Sequence, residues 1–75
     1  MYTLDKLKIN NTAFIDKIDI NDKFRRRLLD LGFISGSKIT ALFTIPSTNP
    51  TAYLIKGTII ALRKEDAQKI YLKEI

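Results

Sequence analysis

The sequence contains no cysteine and no histidine. Without cysteine, disulfide staples, zinc knuckles and iron–sulfur ligation by this chain are excluded. Without histidine, the commonest general base and the commonest transition-metal ligand are both missing. Carboxylates and lysines remain, but they form no nucleophile–base pair and no metal-ligand cluster. The expectation is a protein that is not an enzyme and carries no cofactor. Asp16 and Asp19 could offer oxygen to a divalent cation, yet no dense acidic loop surrounds them, and they read as solvated. Glycine and proline are sparse, at three and two. Gly32, Gly36 and Gly57 match neither GxGxxG nor GxxxxGK[ST], so they read as turn and cap residues rather than a phosphate loop. No run approaches the roughly 18 apolar residues of a membrane span. The segment 1–10 has no uninterrupted apolar stretch of signal-peptide length. A soluble, intracellular chain is expected.

What is present is ordinary globular material: 75 residues, 45% apolar and 28% charged. That is one small domain, 1–75, and a domain of this size buries only about 60% of its unfolded surface. Thirteen basic residues stand against eight acidic ones, a net charge of +5. Such a balance suits an acidic protein partner, an anionic membrane surface or nucleic acid. A single-strand nucleic-acid module would also need stacking aromatics. Phe24 and Phe43 fall on apolar faces and are expected in the core, while Tyr2 and Tyr71 lie at the chain ends and make no platform.

The spacing of Leu4 and Leu7 predicts one helical turn on the core, followed by a turn at Asn10-Asn11. Residues 13–20 (AFIDKIDI) read as a strand whose adjacent Phe14 and Ile15 call for a bulge or two-sided burial. Residues 21–31 (NDKFRRRLLDL) read as a helix. Asn21 is its N-cap, Asp22 complements the dipole, and Phe24, Leu28 and Leu31 form the apolar stripe. Gly32 is placed for the left-handed residue of a Schellman motif, with Phe33 folding back toward Leu28. Strands are expected at 38–45, 51–55, 58–63 and 70–73, with a loop at 46–50, a tight turn at Lys56-Gly57 and one helical turn at 64–68. Five short strands and one helix after the first strand describe a small, strongly bent antiparallel barrel.

Arg25-Arg26-Arg27 is the most conspicuous charge run. Helical positions advance about 100°, so the three fan across roughly 200° and form no single phosphate stripe. Asp30 sits one turn beyond Arg26 and can partly neutralise it. The run reads as a solvated face or a protein contact in preference to a nucleic-acid site.

With Ile45 and Thr51 closing the long loop, Phe43, Tyr53 and Ile60 make an inward row. Leu42, Leu54 and Ile59 then make an apolar row on the opposite face, where polar residues are expected. That row is a candidate contact for a partner or for self-association, unless the segment around Leu4 and Leu7 covers it. A bulge at Gly57 would break it, because Lys is a poor first residue for a type I′ turn.

The run RRRLLDLGFISG (25–36) resembles the helix-to-strand signature of the FeoA family, the small partner of the bacterial ferrous iron transporter. Asn49-Pro50, Lys56-Gly57 and ALRKEDA (61–67) resemble the family's downstream segments, and Leu4…Leu7 fits its opening. At Ile9-Asn10-Asn11 the chain departs from the Pro-Gly or similar turn that members usually carry. The resemblance implies a Src-homology-3-like (SH3-like) five-stranded barrel with one inserted helix. It implies a non-catalytic cytoplasmic accessory role in ferrous iron uptake, with the FeoB-type membrane GTPase transporter as partner. The protein would be peripheral to the inner face of the membrane through that partner. The family carries a label of transition-metal binding, for which this chain shows no ligands. Partner-binding candidates are Arg25, Arg26 and Leu29 on the helix and Leu42, Leu54 and Ile59 on the strands. Catalytic, metal and cofactor residues are expected to be none, with no nucleic acid bound; a small basic nucleic-acid-binding barrel is the alternative.

Overall fold

The computed structural model describes residues 2–47 and 49–73. A single 3-10 turn at Leu4–Lys6 leads into strand β1 (Thr12–Ile18), helix α1 (Asp22–Asp30), and strands β2 (Lys38–Thr44), β3 (Thr51–Ile55) and β4 (Thr58–Leu62). A short helix, α2 (Lys64–Ala67), precedes β5 (Ile70–Leu72). The strands form one antiparallel sheet in the order β4-β3-β2-β1-β5. This is the expected mainly-β architecture, five strands with one main helix inserted after the first.

Leu4 and Leu7 are buried in the central cluster with Ile15, Leu28, Phe33, Ile39, Ile55 and Ile70. They therefore pack inward and do not cover the outer face of β2–β4. The turn after them closes through Asn11 N–H donating to the Lys8 carbonyl at 3.0 Å. Asn10 takes a φ of 70° there. Asparagine tolerates that left-handed conformation, so it substitutes for a glycine turn.

β1 carries the expected bulge, one residue later than the sequence suggests. Ile15 faces Leu72 and Lys17 faces Tyr71, which leaves Asp16 as the extra residue. The bulge lets Ile15 and Ile18, three apart, both reach the core. Phe14 alternates outward and is exposed.

Helix α1 starts after Asn21 as expected, but the Asn21 side chain makes no capping bond; its backbone carbonyl accepts from Arg25 N–H at 2.9 Å. The C-terminal end forms the Schellman motif in full. Phe33 N–H donates to Leu28 O at 2.9 Å and Gly32 N–H to Leu29 O at 3.0 Å. Gly32 has φ 104°, and Leu28 and Phe33 are both fully buried. One local motif thus ends the helix and delivers an aromatic anchor to the core.

Register in the β2–β3 hairpin differs from expectation. The loop closes one residue earlier, with Ile45 N–H donating to Pro50 O at 2.8 Å. A second one-residue shift follows, because Leu42 and Phe43 of β2 together face Ala52 of β3. The two shifts add in the inner part of β2, so Ala41 rather than Phe43 faces Tyr53 and Thr40 rather than Leu42 faces Leu54, a slip of two residues that leaves inward and outward facing unchanged there. Only the first shift acts at Phe43. It lies on the outer face opposite Ala52 and is exposed rather than core. Leu42 is the bulged residue, half-buried, and does not pair with Leu54. The inner row is therefore Ala41, Tyr53 and Ile60, not Phe43, Tyr53 and Ile60.

Candidate functional site

The β3–β4 hairpin has a two-residue turn, with Lys56 at φ 48° and Gly57 at φ 77°. Two consecutive positive values are the signature of a type I′ turn, whose twist matches that of the strands. No bulge intervenes, so Leu54 faces Ile59 and Tyr53 faces Ile60 as expected. The outer-face pair Leu54–Ile59 is real and uncovered: Leu54 is 38% exposed and Ile59 62%. Phe43, at 50%, belongs to the same face in the place expected for Leu42.

The row continues onto β2 and β1 with polar residues. Thr40 faces Leu54 on one side and Thr12 on the other, and the two threonine hydroxyls share a 2.8 Å hydrogen bond. Next along β1 and β2, Phe14 faces Lys38.

One end of this face is walled by the loop after α1. Ser37 N–H donates to Ile34 O at 3.0 Å, Gly36 N–H to Ile15 O at 2.7 Å and Ile15 N–H to Ser37 O at 2.9 Å. These bonds tie the loop to β1 and leave Ile34 45% exposed above the sheet. Between the loop and the β3–β4 turn lies an open groove of about 550 Å³, lined by Ile34, Lys38, Thr40, Leu54, Lys56 and the neighbouring loop backbone. Lys56 passes over Gly32. Its aliphatic stem lies so close to Gly32 that a β-carbon there would stand 2.9 Å from Lys56 Cδ.

The helix candidates lie elsewhere. Arg25, Arg26 and Leu29 are all exposed on α1. Arg26 shares a shallow depression with Lys23, Arg27 and Asp30. The structure thus brings Leu54 and Ile59 together, moves Leu42 out of the row, and links the helix to the sheet face through Gly32 and Lys56. Sequence reasoning passed over Ile34, Lys38 and Phe14. Ile34 was discoverable: once Phe33 takes the buried place of the Schellman motif, its neighbour must point elsewhere.

Tyr53 is a buried titratable side chain whose surroundings shift its ionisation. Burial pushes its phenol above the usual tyrosine range, the Asp5 charge adds to the rise, and a hydrogen bond with Thr51 works against it. Asp5 itself accepts a short hydrogen bond from the Thr3 hydroxyl. Among the described residues no three acidic side chains gather into a group that could hold a metal ion. Nor, among them, is any helix long and apolar enough to cross a membrane.

The model of the FeoA domain matches residues 2–74. The chain belongs to the FeoA family. A curated relative, the Fe(2+) transport protein A/Fe(2+) transporter FeoB fusion protein of Porphyromonas gingivalis, is 35% identical over 72 residues. That match covers 96% of this chain but only 8% of the fusion protein. Among solved structures, the FeoA protein of Chlorobium tepidum superposes with a TM-score of 0.87 at 28% identity, covering 93% of this chain and 67% of that one. FeoA of Stenotrophomonas maltophilia, solved in complex with zinc and described as a prokaryotic SH3 domain protein, gives a TM-score of 0.83 at 26% identity, covering 97% and 91%. The five-stranded antiparallel sheet with its inserted helix is this SH3-like FeoA fold.

Proposed function

We propose that this FeoA-family chain is a non-catalytic accessory module of ferrous iron uptake that works on the cytoplasmic side by direct contact with the FeoB-type membrane GTPase transporter. The observation that carries the reading is the Porphyromonas gingivalis fusion, in which a domain 35% identical to this chain shares a polypeptide with a FeoB transporter. Covalent tethering holds two modules at high effective concentration, which benefits parts that work in contact. The exposed Leu54–Ile59 pair, with Phe43 beside it, supplies carbon surface for such a contact, and Arg25, Arg26 and Leu29 on α1 supply a second, charged patch. The role needs no metal held by this chain. Fe(II) titrated anaerobically into the protein by calorimetry is expected to give no micromolar one-to-one isotherm. The deciding experiment is a pull-down from detergent-solubilised membranes of the source organism with this chain as bait. Recovery of a FeoB-type transporter supports the reading, and its absence under conditions that retain other complexes sinks it.

A further inference from the structure

We infer that the groove between the α1–β2 loop and the β3–β4 turn docks a linear segment of the partner protein in which bulky apolar side chains are flanked by aspartate or glutamate. The inference rests on the protein-contact reading above and assigns it a location and a ligand chemistry. Two observations carry it. The first is composition: the groove presents exposed Ile34 and Leu54 as its carbon surface, and its charged lining is Lys38 and Lys56 with no acidic residue. The depression on α1 contains Asp30 beside its cations and has no apolar residue, and the one beside α2 contains Glu65 beside Arg63 and Lys64. A further one, at Leu7 and residues 10–13, has Lys73 and no carboxylate, but its Leu7 and Ala13 are buried and present little carbon to a ligand, unlike Ile34 and Leu54.

The second observation is that the groove is built rather than loose. Lys56 stands on a turn with two positive φ values and leans its stem on Gly32. The opposite wall is tied to β1 by the backbone bonds of Gly36 and Ser37, and Thr40 in the floor is bonded to Thr12. A fixed site loses little entropy on binding. Ile59, next to Leu54 across the hairpin, extends the carbon surface beyond the groove for a second apolar side chain of the same segment. Carboxylates on the segment would meet Lys38 and Lys56 at the rim, where complementary charge speeds encounter and selects partners. The net charge of +5 favours an acidic occupant over a second copy of this chain.

The test is amide chemical-shift mapping of the whole chain, titrated at low salt with short overlapping peptides that tile every cytoplasmic segment of the FeoB-type transporter from the same organism. A peptide rich in Asp and Glu around Leu, Ile or Phe should shift the amides of residues 34–40 and 54–59. In parallel, intact transporter in detergent should bind Lys38→Glu or Ile34→Ser about tenfold more weakly than the parent chain. Both sites are exposed, and the dispersion of the amide spectrum verifies that each variant is folded. Shifts confined to α1, or selection of basic peptides, would overturn the inference. So would concentration-dependent shifts of the same amides without peptide, which would give the groove to a second copy. If intact transporter binds while no peptide does, or both variants bind normally, the groove assignment falls and the transporter reading stands. If intact transporter fails to bind, the underlying reading falls and takes the groove assignment with it.

Discussion

The two faces of the β2–β3–β4 sheet are made of the same kinds of residue and behave in opposite ways. The inner face carries Ile39, Ala41, Tyr53, Ile55 and Leu62, all buried. The outer face carries Phe43, Leu54 and Ile59, all exposed. Hydropathy alone treats the two sets alike, yet only the first can contribute to folding by leaving water. Carbon left in water adds nothing to folding, and an exposed row of this kind is what the proposed partner contact would require. The comparison teaches that in a chain this short, what separates buried from exposed carbon is register and not composition.

The sharpest way to break the comparison is to cut one side chain from each face. Ile55→Ala removes a fully buried side chain, which costs about 2–5 kcal/mol. A domain of this size holds about 5 kcal/mol in all. The variant should lose most or all of its cooperative thermal transition by circular dichroism. Retention of a near-parental midpoint would mean that the inner face is not the core.

Gly32 offers the next largest effect. Gly32 and Gly36 both have positive φ, but a β-carbon meets Lys56 only at Gly32, while the space at Gly36 is open. Gly32→Val should cost about 1 kcal/mol or more, roughly 5 °C in midpoint, and Gly36→Ala less. Equal or reversed losses would remove the Lys56 contact from the account and leave backbone conformation alone.

Tyr53 separates the faces by pH. Its phenol is raised above the unfolded value of about 10, so ionisation is easier in the unfolded chain. The stability it contributes is complete below the unfolded value and is lost as pH rises through the folded one. Thermal midpoints should therefore fall above about pH 10, and Tyr53→Phe should flatten that fall. An equally steep fall in the variant would assign the alkaline loss to other groups.

On the outer face, Leu54→Lys with Ile59→Lys should leave the domain folded, at a cost of no more than about 1–2 kcal/mol in urea titration from the like charges then facing each other across the hairpin. The same protein should fail to retain the transporter in the pull-down. Unfolding of the double variant would place the pair in the core, and undiminished retention would make it idle surface.

How much of this was legible without the structure follows from the range over which each signal acts. The helix, its glycine end and the place of Phe33 were readable because a Schellman motif is set by residues adjacent in sequence. The Leu54–Ile59 pairing was readable because a two-residue turn leaves one register. The β2–β3 pairing was not. Its loop is long enough to close in more than one way, and the bulge at Leu42 has no local signature. Phe43, read as core from clean alternation with Ile39 and Ala41, was the casualty. The groove was less legible still, since Ile34 in the α1–β2 loop and Lys38 at the start of β2 meet Lys56 of the β3–β4 turn only through the pairing of β2 with β3.

Beside β1, Leu72 N–H donates to Tyr2 O at 2.8 Å, and Thr3 bridges to Tyr71. Entry to and exit from this fold are therefore side by side. A host polypeptide could carry the module as a pendant at either of its own ends, or spliced between two of its residues as a closed excursion, with little change in how the barrel is presented. The same doorway makes the domain a natural candidate for re-threading. A short linker across Tyr2 and Leu72 would allow new termini to be opened elsewhere while every strand keeps its neighbour.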